Sequence, residues 1–503
     1  MRRPALLLLA FAVFASPAAA ARIEATAKGG LLLGTPNPDR IVGHAGNDMI
    51  QAAFGGTDNV SCGRGLDVVA ADRGDRVARD CEVVSRRLSH DTSTSTRAQH
   101  ETAVEPDDFA WGSTVVSAYQ VGRWQSGGAS LIGWSTSFDA GRTWRSGTLP
   151  NLTAESSPTG DALRASDPAV AYDSVHGVWL ISTLALYADG LSRILISTSS
   201  DALHWSVPVA VTVADDLDKE WVVCDNGAAS PFRGRCYVMF HNLDERRSVS
   251  QSSTDGGRTW APEVRIGDDN LVGLQPLVRS DGSLVVVSGS FPDRGPGSIV
   301  FIRSTDGGVT FGDTATIAVV QQHNTEGIRS LPLPSANIDA SGRIYVSWHD
   351  CRFRTGCTAN DVVVATSPDG GVTWSPPGRV PIDSTGSGID HFITGLGAAP
   401  NASGRIGLVY AFRRGSTGAI GIGFTTSRDG GAHWTKPQQL DAQPMAPSWL
   451  ADAANGNELG RMLGDYFSVA FAGGRWVPVF ALAAPPLNGR FREAIFASSL
   501  VSG

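Results

Sequence analysis

Beyond its first 20 residues the sequence lacks a long hydrophobic run. No later stretch approaches the roughly 18 uninterrupted apolar residues of a membrane-spanning helix. Concentrated basic patches are also absent, because the net charge is −8 and the Lys and Arg residues are scattered, which argues against a nucleic-acid partner. Helical periodicity is scarce, whereas 58 glycines and 13 tryptophans accompany only 18% charged residues. These features predict a turn-rich, all-β protein with no membrane span.

Cysteine is sparse, and none of the six cysteines has the Cys-x-x-Cys spacing of a zinc site. The cysteines form three pairs that are close in sequence: Cys62 with Cys81, Cys224 with Cys236, and Cys351 with Cys357. Such an even, paired set predicts local disulfides in an exported chain.

The N-terminus has the three zones of a signal peptide. Two arginines precede an apolar run, and small residues follow it up to Ala20. We therefore predict that residues 1–20 are a signal peptide cleaved near Ala20 and that the mature protein is secreted. The sequence contains no signal for its oligomeric state.

The first repeat is short and rich in glycine and aspartate. Its aspartates, Asp39, Asp48, Asp58, Asp67 and Asp75, follow one another at steps of nine, ten, nine and eight residues, each with an aliphatic residue close behind. Glycine permits tight turns, carboxylates suit calcium, and the aliphatic residue fills a narrow core. A disordered Gly/Asp-rich tail is the alternative interpretation.

This pattern resembles the RTX nonapeptide repeat, whose family forms a parallel β-roll that binds calcium between successive turns. The resemblance implies a small β-roll-like module over residues 34–84, with calcium as a cofactor held by the five aspartates. Residues 85–104 lack apolar spacing and are predicted to be a linker.

The second repeat has the form Ser-x-Asp-x-Gly-x-x-Trp. Its aspartates are Asp139, Asp255, Asp306, Asp369 and Asp429, and a shortened copy contains Asp201. Each copy lies between two stretches in which apolar and polar residues alternate, as in β-strands. The pattern therefore predicts a hairpin in which the Ser and Asp side-chain oxygens accept hydrogen bonds from backbone amides of the turn. Successive copies lie 51 to 63 residues apart.

These copies resemble the Asp box, or BNR repeat, and the resemblance covers residues ~105 to 500. It implies a six- or seven-bladed β-propeller over residues 105–503, with both blade counts open. Proteins with these boxes are similar to sialidases, which use three arginines for the substrate carboxylate, a Tyr nucleophile activated by Glu, and an Asp acid/base. The Phe/Tyr-Arg-Ile/Leu-Pro hallmark of that family is missing, and Arg164 is the nearest substitute in position.

The candidate catalytic residues are those whose types match the implied chemistry and which precede or follow predicted strands. They are Asp167, Arg329, Arg352, Glu458, Arg461 and Tyr466, with Lys219, Glu220, Glu326 and Asp350 as further candidates. For each residue the alternative is a structural salt bridge or turn carboxylate.

The leading functional hypothesis is a secreted exo-α-sialidase homologue that acts on terminal sialic acid or related glycans. The alternative is a non-catalytic extracellular protein that binds a glycan or a protein partner.

Overall fold

The computed structural model describes residues 20–269, 271–292, 295–415, 418–455 and 458–501. Within these ranges the regular elements are β-strands, apart from two 3₁₀ helices at Thr355–Cys357 and Pro447–Trp449. The all-β prediction is therefore confirmed. The predicted signal peptide lies outside the described residues except for Ala20. In the ranges described, no helix has both the length and the apolar character needed to cross a membrane.

The glycine-rich repeats form a β-solenoid of stacked coils. Two parallel sheets alternate along the chain, and their strands are β1 (Arg22–Glu24), β2 (Leu31–Leu33), β3 (Arg40–Val42), β4 (Met49–Gln51), β5 (Asn59–Ser61), β6 (Val68–Ala71), β7 (Arg76–Val77) and β8 (Val83–Arg87). Ile41 and Ile50, both fully buried, pack in the narrow core between the sheets. Gly46 takes φ +91°, and a Cβ there would lie 2.4 Å from the backbone nitrogen of Gly29, so this turn requires glycine.

The remaining strands form antiparallel sheets. They are β9 (Ala103–Trp111), β10 (Thr114–Arg123), β11 (Ala129–Ser137), β12 (Arg145–Thr148), β13 (Arg164–Asp173), β14 (Val178–Leu186), β15 (Ser192–Ser199), β16 (Val209–Ala214), β17 (Leu217–Cys224), β18 (Cys236–Asn242), β19 (Arg247–Ser253), β20 (Val264–Ile266), β21 (Leu271–Val278), β22 (Leu284–Ser290), β23 (Ser298–Ser304), β24 (Ala315–Val319), β25 (Ser335–Ile338), β26 (Ile344–Asp350), β27 (Asp361–Ser367), β28 (Gly378–Arg379), β29 (Ile389–Ala398), β30 (Ile406–Arg414), β31 (Ile420–Ser427), β32 (Gln438–Gln439), β33 (Ala451–Asn455), β34 (Glu458–Met462), β35 (Ser468–Ala472), β36 (Arg475–Ala483), β37 (Glu493–Ser498) and β38 (Leu500–Val501).

The prediction of a six- or seven-bladed β-propeller is contradicted by the sheet topology. The strands form a β-solenoid of stacked coils and sheets of four to eight strands, with one two-stranded hairpin, and not a set of separate four-stranded blades. Two pairings merge sheets that the sequence treats as separate: β8 with β37, and β11 with β13 through Ala129 and Ala165. The physical reason is that unpaired strand edges leave backbone N–H and C=O groups unsatisfied, and pairing removes that cost.

The copies of the second repeat form equivalent turns along the chain. Each copy lies between the third and fourth strands of a run of four antiparallel strands. In the copy at Asp306, Ser304 Oγ donates to Asp306 Oδ1 over 2.8 Å, and the same oxygen accepts the amides of Val309 and Thr310. The predicted hairpin chemistry is therefore present in the structure.

The first strands of neighbouring runs of antiparallel strands pack against one another: β9 contacts β13, β13 contacts β17, and β35 contacts β9 and β29. Polar side chains bridge these strands. Asp107 of β9 accepts the amide of Val170 of β13 over 2.8 Å, and Asp108 accepts the amide of Ala470 over 3.2 Å. These contacts bring the first strands, and the residues at their bends, close together.

All three predicted disulfides are present, joining Cys62 to Cys81, Cys224 to Cys236, and Cys351 to Cys357. In the described residues no cysteine is left free.

Candidate functional site

Three neighbouring first strands bend sharply at one charged residue each. Glu105 of β9, Asp167 of β13 and Lys219 of β17 have φ values of +55°, +47° and +53°, and the strand register shifts beside each of them. Residues other than glycine rarely adopt this left-handed conformation, which concentrates at functional sites in proteins. A bulge of this kind redirects the side chain that it carries. Here the three bulges direct two carboxylates and one ammonium group toward each other.

The Lys219 ammonium group is the centre of the resulting cluster. Its Nζ lies 2.7 Å from Asp465 Oδ2, 3.2 Å from Asp167 Oδ1 and 3.9 Å from Glu105 Oε1. Arg329 also binds Asp465, with Nε 2.7 Å from Oδ1 and Nη2 2.5 Å from Oδ2. The cluster therefore joins three first strands to the loop before β35 and to the segment that contains Arg329.

The charges in this cluster shift the pKa values of its members in opposite directions. Burial alone would lower the pKa of Lys219, but the carboxylates of Asp167, Asp465 and Glu105 raise it well above the usual range. Burial likewise opposes ionisation of Asp465, yet Lys219 and Arg329 hold its pKa far below the usual value. Lys219 is therefore a cation and Asp465 an anion at all ordinary pH values.

Glu220 differs from its charged neighbours because its carboxyl group is not paired. Its side chain is 1% exposed, and neither carboxyl oxygen accepts a hydrogen bond from another described residue. Burial, followed by the nearby Asp167 charge, raises the pKa of Glu220 well above the usual range. A carboxyl group in such a setting keeps its proton near neutral pH and can donate it.

A cavity of about 420 Å³ lies beside Glu220. The first strands β9, β13, β17, β21, β25 and β35 supply its walls, and Asp167, Lys219 and Glu220 are among the lining residues. Trp221 and Tyr466 also line it, with ring centroids 5.3 Å apart. The cavity thus combines an aromatic wall with ionisable groups, as sites for polar organic ligands commonly do.

The structure brings three of the six predicted catalytic residues together: Asp167, Arg329 and Tyr466. Tyr466 lies beside Lys219, whose Nζ is 5.9 Å from the centre of its ring. Burial, followed by the charges of Glu105 and Asp167, raises the pKa of the Tyr466 phenol well above its usual range, which disfavours the phenolate.

The side chains of Arg352 and Arg461 form their described ion pairs outside the cluster. Arg352 binds Asp350, with Nη2 2.7 Å from Oδ2, and also reaches the backbone oxygen of Val319. Arg461 pairs with Asp452, although its backbone bonds to Arg329. Glu458 begins β34, and its side chain lies outside the described part of the structure.

Sequence reasoning missed Glu105 and gave too little weight to Asp465. Glu105 precedes a proline at the start of a strand and belongs to no motif, so only its position beside Asp167 and Lys219 reveals it. The Asp-Lys-Glu triplet at 218–220 was a usable signal, because three charged residues in a row are unusual within a strand that is mostly buried.

The five coil aspartates form a ladder. The amide of Asp39 donates to Asp58 Oδ1 over 2.7 Å, and that of Asp48 donates to Asp67 Oδ1 over 2.7 Å. Both oxygens of Asp48 and one each of Asp58 and Asp67 are buried without a hydrogen-bond partner among the described residues. Such hard, orphaned oxygens fit calcium in ligand type.

The number of acidic ligands at any one point of the coils is small. Across the described residues, three or more acidic, His or Cys ligand atoms come within 4.8 Å of one another only at Asp361, Asp383 and His391. Arg354 and Arg379 already bind both of these carboxylates. A calcium ion in the coils would therefore have at most two acidic residues as ligands and would need backbone carbonyl groups or water to complete its six to eight ligands.

No family model matches the sequence, and no curated protein matches it. Several solved structures are similar. A Hadza microbial sialidase is 16% identical, with a TM-score of 0.42 over 83% of this chain and 69% of that chain. The NanB sialidase from Streptococcus pneumoniae is 13% identical, with a TM-score of 0.41 over 83% and 71%. An α-L-arabinofuranosidase from Fusarium graminearum is 12% identical, with a TM-score of 0.45 over 83% and 98%. Likeness at this level assigns neither an activity nor a substrate to this chain.

Proposed function

We propose that this chain is an extracellular glycoside hydrolase whose reaction takes place in the cavity beside Glu220. The observation that carries the proposal is the pair of unlike carboxyl groups on adjacent first strands. Glu220 is buried and unpaired, and its raised pKa suits a proton donor. Asp167 is paired with Lys219 at 3.2 Å. Cleavage of a glycosidic bond requires one protonated and one ionised carboxyl group on opposite sides of that bond.

In this proposal Glu220 donates its proton to the glycosidic oxygen as the bond to the anomeric carbon breaks. Asp167 supplies the second carboxylate, either as the nucleophile or as the base that activates water. Lys219 fixes the Asp167 carboxylate, and Asp465 in turn fixes Lys219. Trp221 and Tyr466 provide an aromatic wall against which a sugar ring can stack.

Hydrolysis of terminal sialic acid is the specific activity that the sequence indicates. It would require three arginines around the substrate carboxylate. Of the three predicted arginines, Arg329 is in the cluster, where Asp465 binds it through two hydrogen bonds. A sialoside is therefore one member of the substrate panel below.

The test is hydrolysis of a panel of fluorogenic aryl glycosides by the mature protein and by Glu220→Gln. We expect the variant to lose at least about 100-fold in kcat on the best substrate, because the proton donor is removed. Glu493→Gln is the matched control, since Glu493 is also 1% exposed with a raised pKa but does not line the cavity. Equal activity of wild type and Glu220→Gln would exclude Glu220 as the acid.

One observation favours the non-catalytic alternative, in which the protein binds an extracellular glycan without cleaving it. Lys219, Arg329 and Asp465 satisfy one another, so much of the cluster already has a structural role in joining strands. Calorimetric binding of a glycan, with no turnover of any panel member, would establish this alternative.

Calcium in the coils is part of the same proposal, as a folding cofactor held in part by Asp48, Asp58 and Asp67. Because bound calcium stabilises only the folded state, adding it to chelator-treated protein should raise Tm. Asp48→Asn should reduce that rise, since both oxygens of Asp48 are orphaned and buried. If Tm is the same in calcium and in excess chelator, the coils fold without the ion.

A further inference from the structure

The charged residues that line the cavity are mostly acidic. Five of the lining residues carry carboxyl groups, and two are cations; the acidic ones are Asp107, Asp108, Asp167, Glu220 and Asp339. The cations are Lys219 and Arg279, and both already bind carboxylates. Lys219 binds Asp167 and Asp465, and Arg279 Nη1 lies 2.8 Å from Asp281 Oδ2. Arg279 Nε is buried without a partner among the described residues.

The lining of the cavity disfavours the ionised form of a carboxyl group. Burial raises the pKa of Asp107 to about 7 and raises the pKa of Asp108 well above its usual range. Glu220 is shifted in the same direction by burial and by Asp167. A site that disfavours ionisation of three of its own carboxyl groups also destabilises a carboxylate brought in by a ligand, because both charges lose the same hydration.

The same groups suit hydroxyl groups. A protonated carboxyl group donates one hydrogen bond and still accepts others, whereas an ionised carboxylate only accepts. A sugar hydroxyl group both donates and accepts, so a mixture of protonated and ionised carboxyl groups can pair with several hydroxyls at once. Trp221 and Tyr466 add an apolar surface for the face of a sugar ring.

We infer that the cavity selects an uncharged sugar and excludes anionic sugars, sialic acid included. This inference rests on the proposed function, since it names the substrate class of the same site. Its basis is the excess of carboxyl groups over cations in the lining and the binding of both lining cations to carboxylates, Lys219 through Nζ and Arg279 through Nη1.

The experiment compares matched 4-methylumbelliferyl glycosides that share a leaving group and differ in charge. The uncharged set contains an α-L-arabinofuranoside, a β-galactoside and an α-glucoside, and the anionic set contains an α-sialoside and a β-glucuronide. We expect kcat/KM for the best uncharged glycoside to exceed that of both anionic ones by about 100-fold or more. A sialoside or glucuronide hydrolysed as well as the best uncharged substrate would overturn the inference.

Calorimetry separates failure of the inference from failure of the proposed hydrolysis. The free sugars and their methyl glycosides are titrated into wild type and into Glu220→Gln, which binds without turnover if Glu220 is the acid. Binding of an uncharged sugar but not of sialic or glucuronic acid supports the inference even if nothing is hydrolysed. Binding of the sugar acids, or of no sugar at all, overturns it.

A charge variant tests the physical cause. Asp465→Asn removes the anion that holds Lys219 and Arg329, so the preference for uncharged sugars should fall by at least about tenfold. Because Asp465 is fully buried and its variant can fail to fold, Asp218→Asn, at a partly exposed position beside the cluster, provides the second measurement. If both variants fold and neither changes the ratio of kcat/KM values, the carboxylates do not set the preference.

Discussion

Single residues in strained conformations mark the candidate site more clearly than any motif does. Glu105, Asp167 and Lys219 adopt positive φ on three adjacent first strands, and each such conformation costs on the order of 1 kcal/mol or more. Their side chains meet, so the cluster recovers part of this cost through ion pairs that are shielded from water. The same bulge recurs at Gly273 of β21 and Ile393 of β29, so what distinguishes the candidate site is that its three bulge residues are charged and meet one another.

Glu493 provides a test of burial at the residue scale. Burial raises its pKa to about 8 from an ordinary value of 4.5, against the hydrogen bond that it accepts from Ala451. The native state thus retains a proton that the unfolded state releases above pH 4.5. The contribution of Glu493 to the free energy of unfolding should therefore be highest below about pH 4.5 and should decline as the pH rises toward 8.

Glu493→Gln should remove this decline. Relative to wild type, we expect the variant to gain about 2 kcal/mol or more between pH 5 and pH 8, as measured by urea unfolding. Glu245→Gln, at a side chain that is 54% exposed, is the control and should stay within about 0.5 kcal/mol of wild type. A constant difference between Glu493→Gln and wild type across this range would show that Glu493 is ionised in the folded protein.

At the scale of elements, the turn of the second repeat is stabilised by one carboxylate. Asp306 accepts the amides of Val309 and Thr310 over 3.1 and 3.0 Å, as well as the hydroxyl groups of Ser304 and Thr310. Burial works against ionisation, but these hydrogen bonds, Thr310 first, together outweigh it and lower the pKa of Asp306 to about 2. The stabilisation is thus present above about pH 4 and is lost as the pH falls toward 2.

Asp306→Ala should lower the free energy of unfolding by about 1 to 2 kcal/mol at pH 7, because several turn donors lose their acceptor. The difference from wild type should shrink as the pH approaches 2. Asp313→Ala, at an exposed aspartate shortly after the same turn, is the control and should change stability by less than about 0.5 kcal/mol. An equal loss in both variants would mean that the turn does not depend on its carboxylate.

Local elements were predictable from sequence, and their long-range partners were not. The hairpins, the disulfides and the stacked coil aliphatics follow from residues close in sequence. The pairing of β8 with β37 joins residues about 400 positions apart, and no local pattern specifies it. The site shows the same division: Asp167, Arg329 and Tyr466 were predicted from residue type, whereas Glu105 depends on packing between strands.

At the scale of the whole molecule, the two ends of the described chain share one sheet. Parallel strands β2, β4, β6 and β8 continue into antiparallel β37, β36 and β35. Ser85 Oγ lies 2.8 Å from Ser498 Oγ across this junction, and Leu88 belongs to the same core as Phe496. The coils should therefore influence the stability of the C-terminal strands directly, instead of unfolding as an isolated appendage.

Ile50→Ala tests this coupling. Ile50 is fully buried in the coil core, so its truncation should destabilise the coils by about 2 to 5 kcal/mol. Because β8 supplies hydrogen-bond partners to β37, native-state hydrogen exchange should accelerate in Val83–Arg87 and also in Glu493–Ser498. The matched control is Ile299→Ala, at an equally buried residue of β23, which should accelerate exchange around its own sheet and leave Glu493–Ser498 unchanged. If Ile50→Ala loosens the coils while exchange in Glu493–Ser498 stays at the wild-type rate, the shared sheet does not transmit stability and the coils are an independent folding unit.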